Sequence, residues 1–207
     1  MGTRTGSGLL LPVVVVATVA AVFGVGKITD TVSDILGGVA DGTEIIGAGD
    51  HQIMVRSSEK TQLDDCTAKQ VIAEKKCGDA RVVVFDAEKM PFITRNISQA
   101  WSSGHPAVLT MNRAAETANR RAACGRFTRV HPKGSCDEYP MAATDQGGVD
   151  ARTEEVPDRE NSCQGGTVRW QYPRDGEDFL VVIAYPQKIA DRPYWGVDIA
   201  KDPSCGV

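Results

Sequence analysis

An α+β domain stapled by disulfides, with a small antiparallel sheet and helices, is the fold class that this sequence predicts. Three features point to it. Residues 81–86 (RVVVFD) and 179–185 (FLVVIAY) are short β-branched or apolar runs of the kind that form buried strands. Between them lie segments with helix-starting and helix-stopping residues at their ends. Six cysteines, Cys66, Cys77, Cys124, Cys136, Cys163 and Cys205, all follow an apolar N-terminal stretch, and an even number in an exported chain reads as a disulfide framework. The 207 residues, 42% hydrophobic and 24% charged, fit one ordinary domain plus a tail or tether. They exclude wholesale disorder, collagen-like repeats and a polytopic membrane protein.

Taken in order, residues 9–26 (LLLPVVVVATVAAVFGVG) form an uncharged run preceded by Arg4 and followed by Lys27. As a helix it would be roughly 27 Å long, marginal against a hydrocarbon core of about 30 Å, and Val19-Ala20-Ala21 offers a small-residue cleavage site. Residues 1–26 therefore read as a signal peptide or a retained anchor. Residues 27–65 are acidic and dotted with glycine, and read as a flexible tether with one short helix within 27–39. Residues 66–207 are the expected domain.

Within it, 81–86 is the first buried strand. Pro91 opens a helix through PFITRNISQAWSSG that stops at Gly104. Asn112 can cap a second helix, NRAAETANRRAACG, ending at Gly125 with Arg113 and Arg120 on one face. After Cys136 the pattern becomes strand, turn, strand, helix: 139–144 (YPMAAT) and 149–156 (VDARTEEV) joined by DQGG, then a helix over 157–172 despite Gly165 and Gly166. A strand at 179–185 and an irregular tail clipped through Cys205 complete the chain.

Charge is unevenly distributed. Residues 27–65 carry a net −5, whereas 66–207 are neutral and contain a basic stretch at 111–135 with a local net charge of +5. That stretch is either a surface for a polyanion or a solvated helix face. No CxxC pair occurs and His51, His105 and His131 are scattered, which disfavours structural zinc. A catalytic cysteine is disfavoured by the same oxidising context.

Acidic and amide groups gather in the strand-turn-strand-helix unit: Asp137-Glu138, Glu154-Glu155 and Glu160-Asn161. Hard divalent cations take oxygen ligands of this kind, and a carboxylate can serve beside such an ion as a base for water. The strings CDEYPMAAT, QGG, VPDRENSCQGGTVRW and DGEDFLVVI, with MPFITRNISQAWSSGHPAVLTMNR upstream, resemble the NucA/NucB-type deoxyribonucleases over roughly residues 81–184.

The resemblance implies a ββα-metal nuclease unit, in which a hairpin and a following helix hold one divalent ion, Mg²⁺ or Mn²⁺, against the scissile phosphate. It makes Asp137 the general base in place of the histidine most ββα-metal enzymes use. Asn161 becomes a metal ligand, Glu160 a direct or water-mediated one, and Glu138 either a ligand of bound water or an orienting group for Asp137. His131 is the rival base. The implied activity is metal-dependent endonucleolytic hydrolysis of DNA with little sequence specificity, because phosphate contacts carry no sequence information. Arg113 and Arg129 are the expected phosphate contacts, and Arg159 either joins them or solvates the helix start.

The expected location is extracellular, or the outer face of the cytoplasmic membrane with the N-terminal segment as the only membrane contact. Two rival readings use the same unit: a delivered antibacterial nuclease with an immunity or inhibitor protein as partner, and a catalytically inactive nucleic-acid-binding or surface module. Trp101, Trp170 and Trp195 read as packing residues, His105 as a helix terminator, and Asn96-Ile97-Ser98 as a glycosylation sequon without consequence.

Overall fold

A computed structural model describes residues 42–205; the apolar stretch 9–26 and the helix expected within 27–39 lie outside the described residues. Among the described residues no helix is long and apolar enough to cross a membrane.

The first elements fall where a tether was expected. Strands β1 (Thr43–Ala48) and β2 (His51–Arg56) pair antiparallel from Thr43↔Arg56 to Ala48↔His51, turning at Gly49, whose φ of +59° suits glycine. Residues 43–63 are thus part of the domain: Ile53, Met54 and Val55 are buried and the 3-10 turn Ser57–Leu63 ends on buried Leu63. Helix α1 (Ala68–Glu74) starts with a capping box between Thr67 and Gln70, and the Cys66–Cys77 disulfide ties its flanks together. Strands β3 (Lys76–Cys77) and β4 (Ala80–Asp86) follow, then helix α2 (Pro91–Ser102) with Pro91 in its first turn and Gly104 beyond its end at φ +93°.

Strand β5 (Val108–Thr110) leads to a short 3-10 turn, Arg113–Ala115, capped by the Asn112 side chain, and to helix α3 (Glu116–Cys124), which stops at Gly125 as expected. Strands β6 (Gly134–Tyr139) and β7 (Arg152–Pro157) form a separate hairpin. Helix α4 (Asp158–Cys163) continues as a π-helical turn, Gln164–Val168, and a 3-10 turn, Arg169–Gln171. Strand β8 (Asp178–Ala184) and a last 3-10 turn, Pro186–Lys188, precede the tail, which the Cys163–Cys205 disulfide clips down.

The main sheet has the order β1-β2-β8-β4-β3, with β5 also paired to β8. Its centre is the parallel pair β4 and β8, in register from Val82↔Leu180 to Asp86↔Ala184, and its other pairs are antiparallel. The α+β class holds, but the sheet is larger than expected and mixed. Both central strands are apolar on consecutive positions because both faces of the sheet are covered at this point, as in parallel sheets generally. Helix α2 packs between this sheet and the β6–β7 hairpin, so it is buried on nearly every side, from Phe92 and Ile93 to Ala100 and Trp101. The Trp101 indole N–H donates to Tyr139 Oη at 2.9 Å, and that hydroxyl donates to the Pro106 carbonyl at 2.9 Å, so the deepest polar atoms here are satisfied.

The hairpin differs from its expected position. Its first strand is Gly134–Tyr139 and not 139–144, because Pro140 lacks an N–H and cannot extend the ladder. The stretch after it folds back on β5: Asp145 N–H donates to the Thr110 carbonyl at 3.0 Å, and Gln146 Oε1 accepts from Thr110 N–H at 3.0 Å. DQGG therefore docks on the main sheet through Asp145 and Gln146, and its turn, closed by Gly147 N–H on the Thr144 carbonyl, is not the tight hairpin turn expected between the two strands.

Candidate active site

Strand alternation decides what the hairpin acids face. In the β6–β7 register Asp137 lies opposite Glu154, and Glu138 opposite Thr153, so the two neighbouring acids point to opposite faces. Asp137 turns toward α2 and is 3% exposed. Asn96, fully buried on that helix, donates its amide to Asp137 Oδ2 at 2.8 Å. Arg152 donates to Asn96 Oδ1 and also pairs with Glu154 at 2.6 Å, and Arg95 pairs with the second Glu154 oxygen. Burial pushes the Asp137 carboxyl up to about 8; the Asn96 hydrogen bond opposes that rise, while the charges of Glu138 and Glu154 add to it.

Glu138 faces α3. One carboxylate oxygen lies 3.5 Å from the Arg120 guanidinium, and the other is 3.2 Å from Cys124 Sγ, a contact without a proton because that sulfur is bonded to Cys136. Burial raises the Glu138 carboxyl above its ordinary range and Arg120 opposes the shift. The Cys124–Cys136 disulfide joins the end of α3 to the strand residue just before Asp137. These two sulfurs and Glu138 lie close enough together to suggest a ligand cluster, but a disulfide offers no thiolate, so they are not a metal site.

Asn161 approaches from α4. Its amide nitrogen donates to Ser135 Oγ at 2.8 Å and to the Cys136 carbonyl at 3.0 Å, which leaves Oδ1 as the atom the side chain can offer a ligand. Asp137, Glu138 and Asn161 line one open cleft of about 640 Å³, with Arg113, Arg120, Arg169 and Trp170 also on its walls. Two carboxylates and an amide oxygen are the hard donor set that Mg²⁺ or Mn²⁺ takes.

Other expected site residues lie elsewhere. Glu160 is fully buried and aimed away from the cleft: its Oε2 accepts the N–H groups of Phe92 and Ile93, at 3.0 and 2.9 Å, at the start of α2. A carboxylate there satisfies free N–H groups of the first helical turn, so Glu160 is a helix cap and not a metal ligand of this cleft. Its carboxyl is pushed up to about 8, chiefly by burial. Arg159 is held by Asp198, with Nη2 to Oδ1 at 3.0 Å, and donates to the Lys89 carbonyl at 2.9 Å, which turns it from the cleft. Arg129 is exposed and off the cleft, whereas Arg113 lines it while donating to Asp175 at 2.6 Å.

His131 stacks edge-on against Tyr194, at 5.5 Å between ring centres, and does not line the cleft. Trp101 is core as expected and Trp195 packs edge-on against Phe92, but Trp170 is 69% exposed at the cleft wall. Asn96, read as an inconsequential sequon, is the hydrogen-bond partner of Asp137. One signal in the sequence marked it: a lone amide in the apolar stripe Phe92, Ile93, Ile97, Ala100, Trp101 at helical spacing. Gly134 has a local role, since a Cβ there would meet Glu155 Oε1 at 1.9 Å, and that carboxylate accepts the N–H groups of Val130 and His131.

Among curated proteins the chain has no match. The segment that builds the cleft does have a family: the model of Deoxyribonuclease NucA/NucB matches residues 96–182, from Asn96 on α2 through both hairpin acids and Asn161 into β8. Residues 96–182, which carry Asp137, Glu138 and Asn161, are thus similar to the NucA/NucB deoxyribonuclease family.

Proposed function

We propose that the protein is an exported, metal-dependent endonuclease that hydrolyses DNA phosphodiester bonds with little sequence specificity. The observation that carries this reading is the meeting of Asp137, Glu138 and Asn161 in one cleft edged by Arg113, Arg120 and Arg169, within a segment matched to a deoxyribonuclease family. The arginines supply positive charge for phosphate oxygens without reading base edges, which fits affinity without sequence preference. Export, either free or tethered to the outer face of the cytoplasmic membrane by residues 9–26, is supported by the pairing of all six cysteines.

Asn161 Oδ1 and the Glu138 carboxylate are the groups that would hold a divalent cation. When bound, such an ion supplies Lewis-acid stabilisation of the negative charge that develops on the phosphate. Asp137 takes a proton from the water that attacks phosphorus. A base is most effective when its pKa lies near the working pH, and burial brings Asp137 to about 8. Asn96 keeps the carboxylate oriented and favours its ionised form. The phosphorus–oxygen bond to one sugar breaks, leaving a phosphomonoester end and, after the departing oxygen gains a proton from solvent, a hydroxyl end. Arg120 sits beside Glu138 and provides charge on the same wall.

The test is incubation of the purified full chain with plasmid, linear DNA and RNA, in Mg²⁺, Mn²⁺ or a chelator. The expected result is internal cleavage of DNA that the chelator stops. No cleavage of any substrate in either metal would replace this reading with that of an inactive nucleic-acid-binding module.

A further inference from the structure

We propose that Trp170 is a stacking platform for a nucleobase next to the scissile phosphate, and that it directs the cleft toward unpaired strands. The inference rests on the nuclease reading of the same cleft. Trp170 is 69% exposed, so its flat indole is open to a partner from solvent. It lines the cleft that contains Asp137 and Asn161. The Arg169 guanidinium lies over its ring at 5.2 Å from the centroid, the pairing that a nucleic-acid platform uses for stacking and charge together.

The mount is rigid. Trp170 is the middle residue of the 3-10 turn Arg169–Gln171, and Gln171 clamps that turn to the central strand β4: its Oε1 accepts from Val84 N–H at 2.8 Å, and its Nε2 donates to the Val84 carbonyl at 3.1 Å. Tyr172, the next residue, packs on Phe179 of β8 at 5.6 Å between ring centres. The residues after Trp170 are thus anchored against the core while the indole stays in solvent. A rigid aromatic surface loses little conformational freedom on binding.

The cleft wall sets Arg113, Arg120 and Arg169 among the acids Glu116, Asp137 and Glu138, and its arginine donors select the occupant. Arg113 and Arg120 line the same cleft, so a strand whose phosphates meet these cations brings its bases within reach of the indole. Bases in a duplex are already stacked on each other and expose only their edges, whereas an unpaired base has a free face. The platform therefore adds affinity for single strands, frayed ends and gaps, and little for intact duplex.

The experiment measures binding by fluorescence anisotropy in chelator, using the full chain and the variants Trp170→Ala and Trp170→Phe. The probes are a labelled 12-nucleotide single strand, a strand of the same length without bases, and the duplex. Trp170→Ala should weaken single-strand binding by about tenfold and leave the abasic strand unchanged, and the duplex should lose less than the single strand. Trp170→Phe should restore most of the loss, which a merely structural defect would not allow. Equal losses on the ordinary and abasic strands, or no loss on either, would overturn the platform and leave the nuclease reading standing. A wild-type chain that binds none of the three probes would overturn both.

Discussion

Removing the amide of Asn96 should raise the pH at which the enzyme works. The Asn96 side chain donates to Asp137 Oδ2 at 2.8 Å, and both residues are buried. A hydrogen bond to a charged acceptor contributes about 1.5–3 kcal/mol, and 1.36 kcal/mol is one pKa unit, so its loss should raise the Asp137 pKa by about 1–2 units. Since Asp137 already titrates high, at about 8, Asn96→Ala should lower kcat/KM at pH 7 by about tenfold to a hundredfold, with recovery as the pH rises. Asn96→Asp keeps the size and places a second carboxyl against the first, so its loss should be larger. The assay is initial-rate cleavage of a quenched fluorescent DNA across pH 5.5–9.5 at saturating metal, with DNA affinity measured in parallel. A loss that is the same at every pH would make Asn96 a packing residue. No loss would mean that Asp137 is not the base.

Further expectations follow from the same geometry. Asp137→Asn should lower kcat by about 10² to 10⁴ while DNA affinity is retained; turnover at the wild-type rate would remove it from the chemistry. Asn161→Ala should raise the Mg²⁺ or Mn²⁺ concentration for half-maximal cleavage, whereas Glu160→Gln should leave that concentration unchanged because Glu160 caps α2 outside the cleft. Glu160 should instead govern stability against pH. Its folded pKa of about 8 lies above the ordinary value of 4.5, so its contribution is full below about pH 4.5 and is lost as the pH rises through 8. The gain in melting temperature of Glu160→Gln over wild type should therefore grow from pH 5 to pH 8.5. Arg113→Ala should weaken DNA binding and flatten its salt dependence, while Arg129→Ala should change neither, a contrast that isotherms at several salt concentrations will report.

The parts of the fold that were legible in the sequence are those where local pattern and burial agree. The runs of β4 and β8 are apolar at every central position because both faces are covered, and Pro91, Gly104, Asn112 and Gly125 mark helix ends by their own backbone chemistry. The β1–β2 hairpin was hidden by its surroundings: Ile53, Met54 and Val55 lie in an acidic, glycine-dotted stretch whose composition suggests a tether. Strand β6 was hidden because GSCDEY opens with glycine and carries two acids, poor strand formers that only a tertiary environment can bury. In the site, the string around Asp137, Glu138 and Asn161 was readable, but the directions of side chains were not. Glu160 and Asn161 are adjacent on one helix and face different partners. Asn96 is 41 residues from the aspartate it serves, so only its intrusion into an apolar stripe could mark it.

Placing two acids side by side on one strand is a way of giving them different chemistry. The pleat sends Asp137 inward onto α2, where it meets one neutral donor, and sends Glu138 toward α3, where a guanidinium lies 3.5 Å away. Burial raises both carboxyls, but the cation that restrains Glu138 from 3.5 Å is a more distant influence on Asp137. Arg120 thereby restrains the rise at Glu138, which suits a cation ligand, while Asp137 is left with a pKa of about 8, which suits a base. The Cys124–Cys136 disulfide fixes this division in place: it holds α3, and with it Arg120, against the strand that carries both acids. A site built only on loops would need other restraints to keep one carboxylate dry and the other paired. Here the strand alternation and one covalent bond suffice.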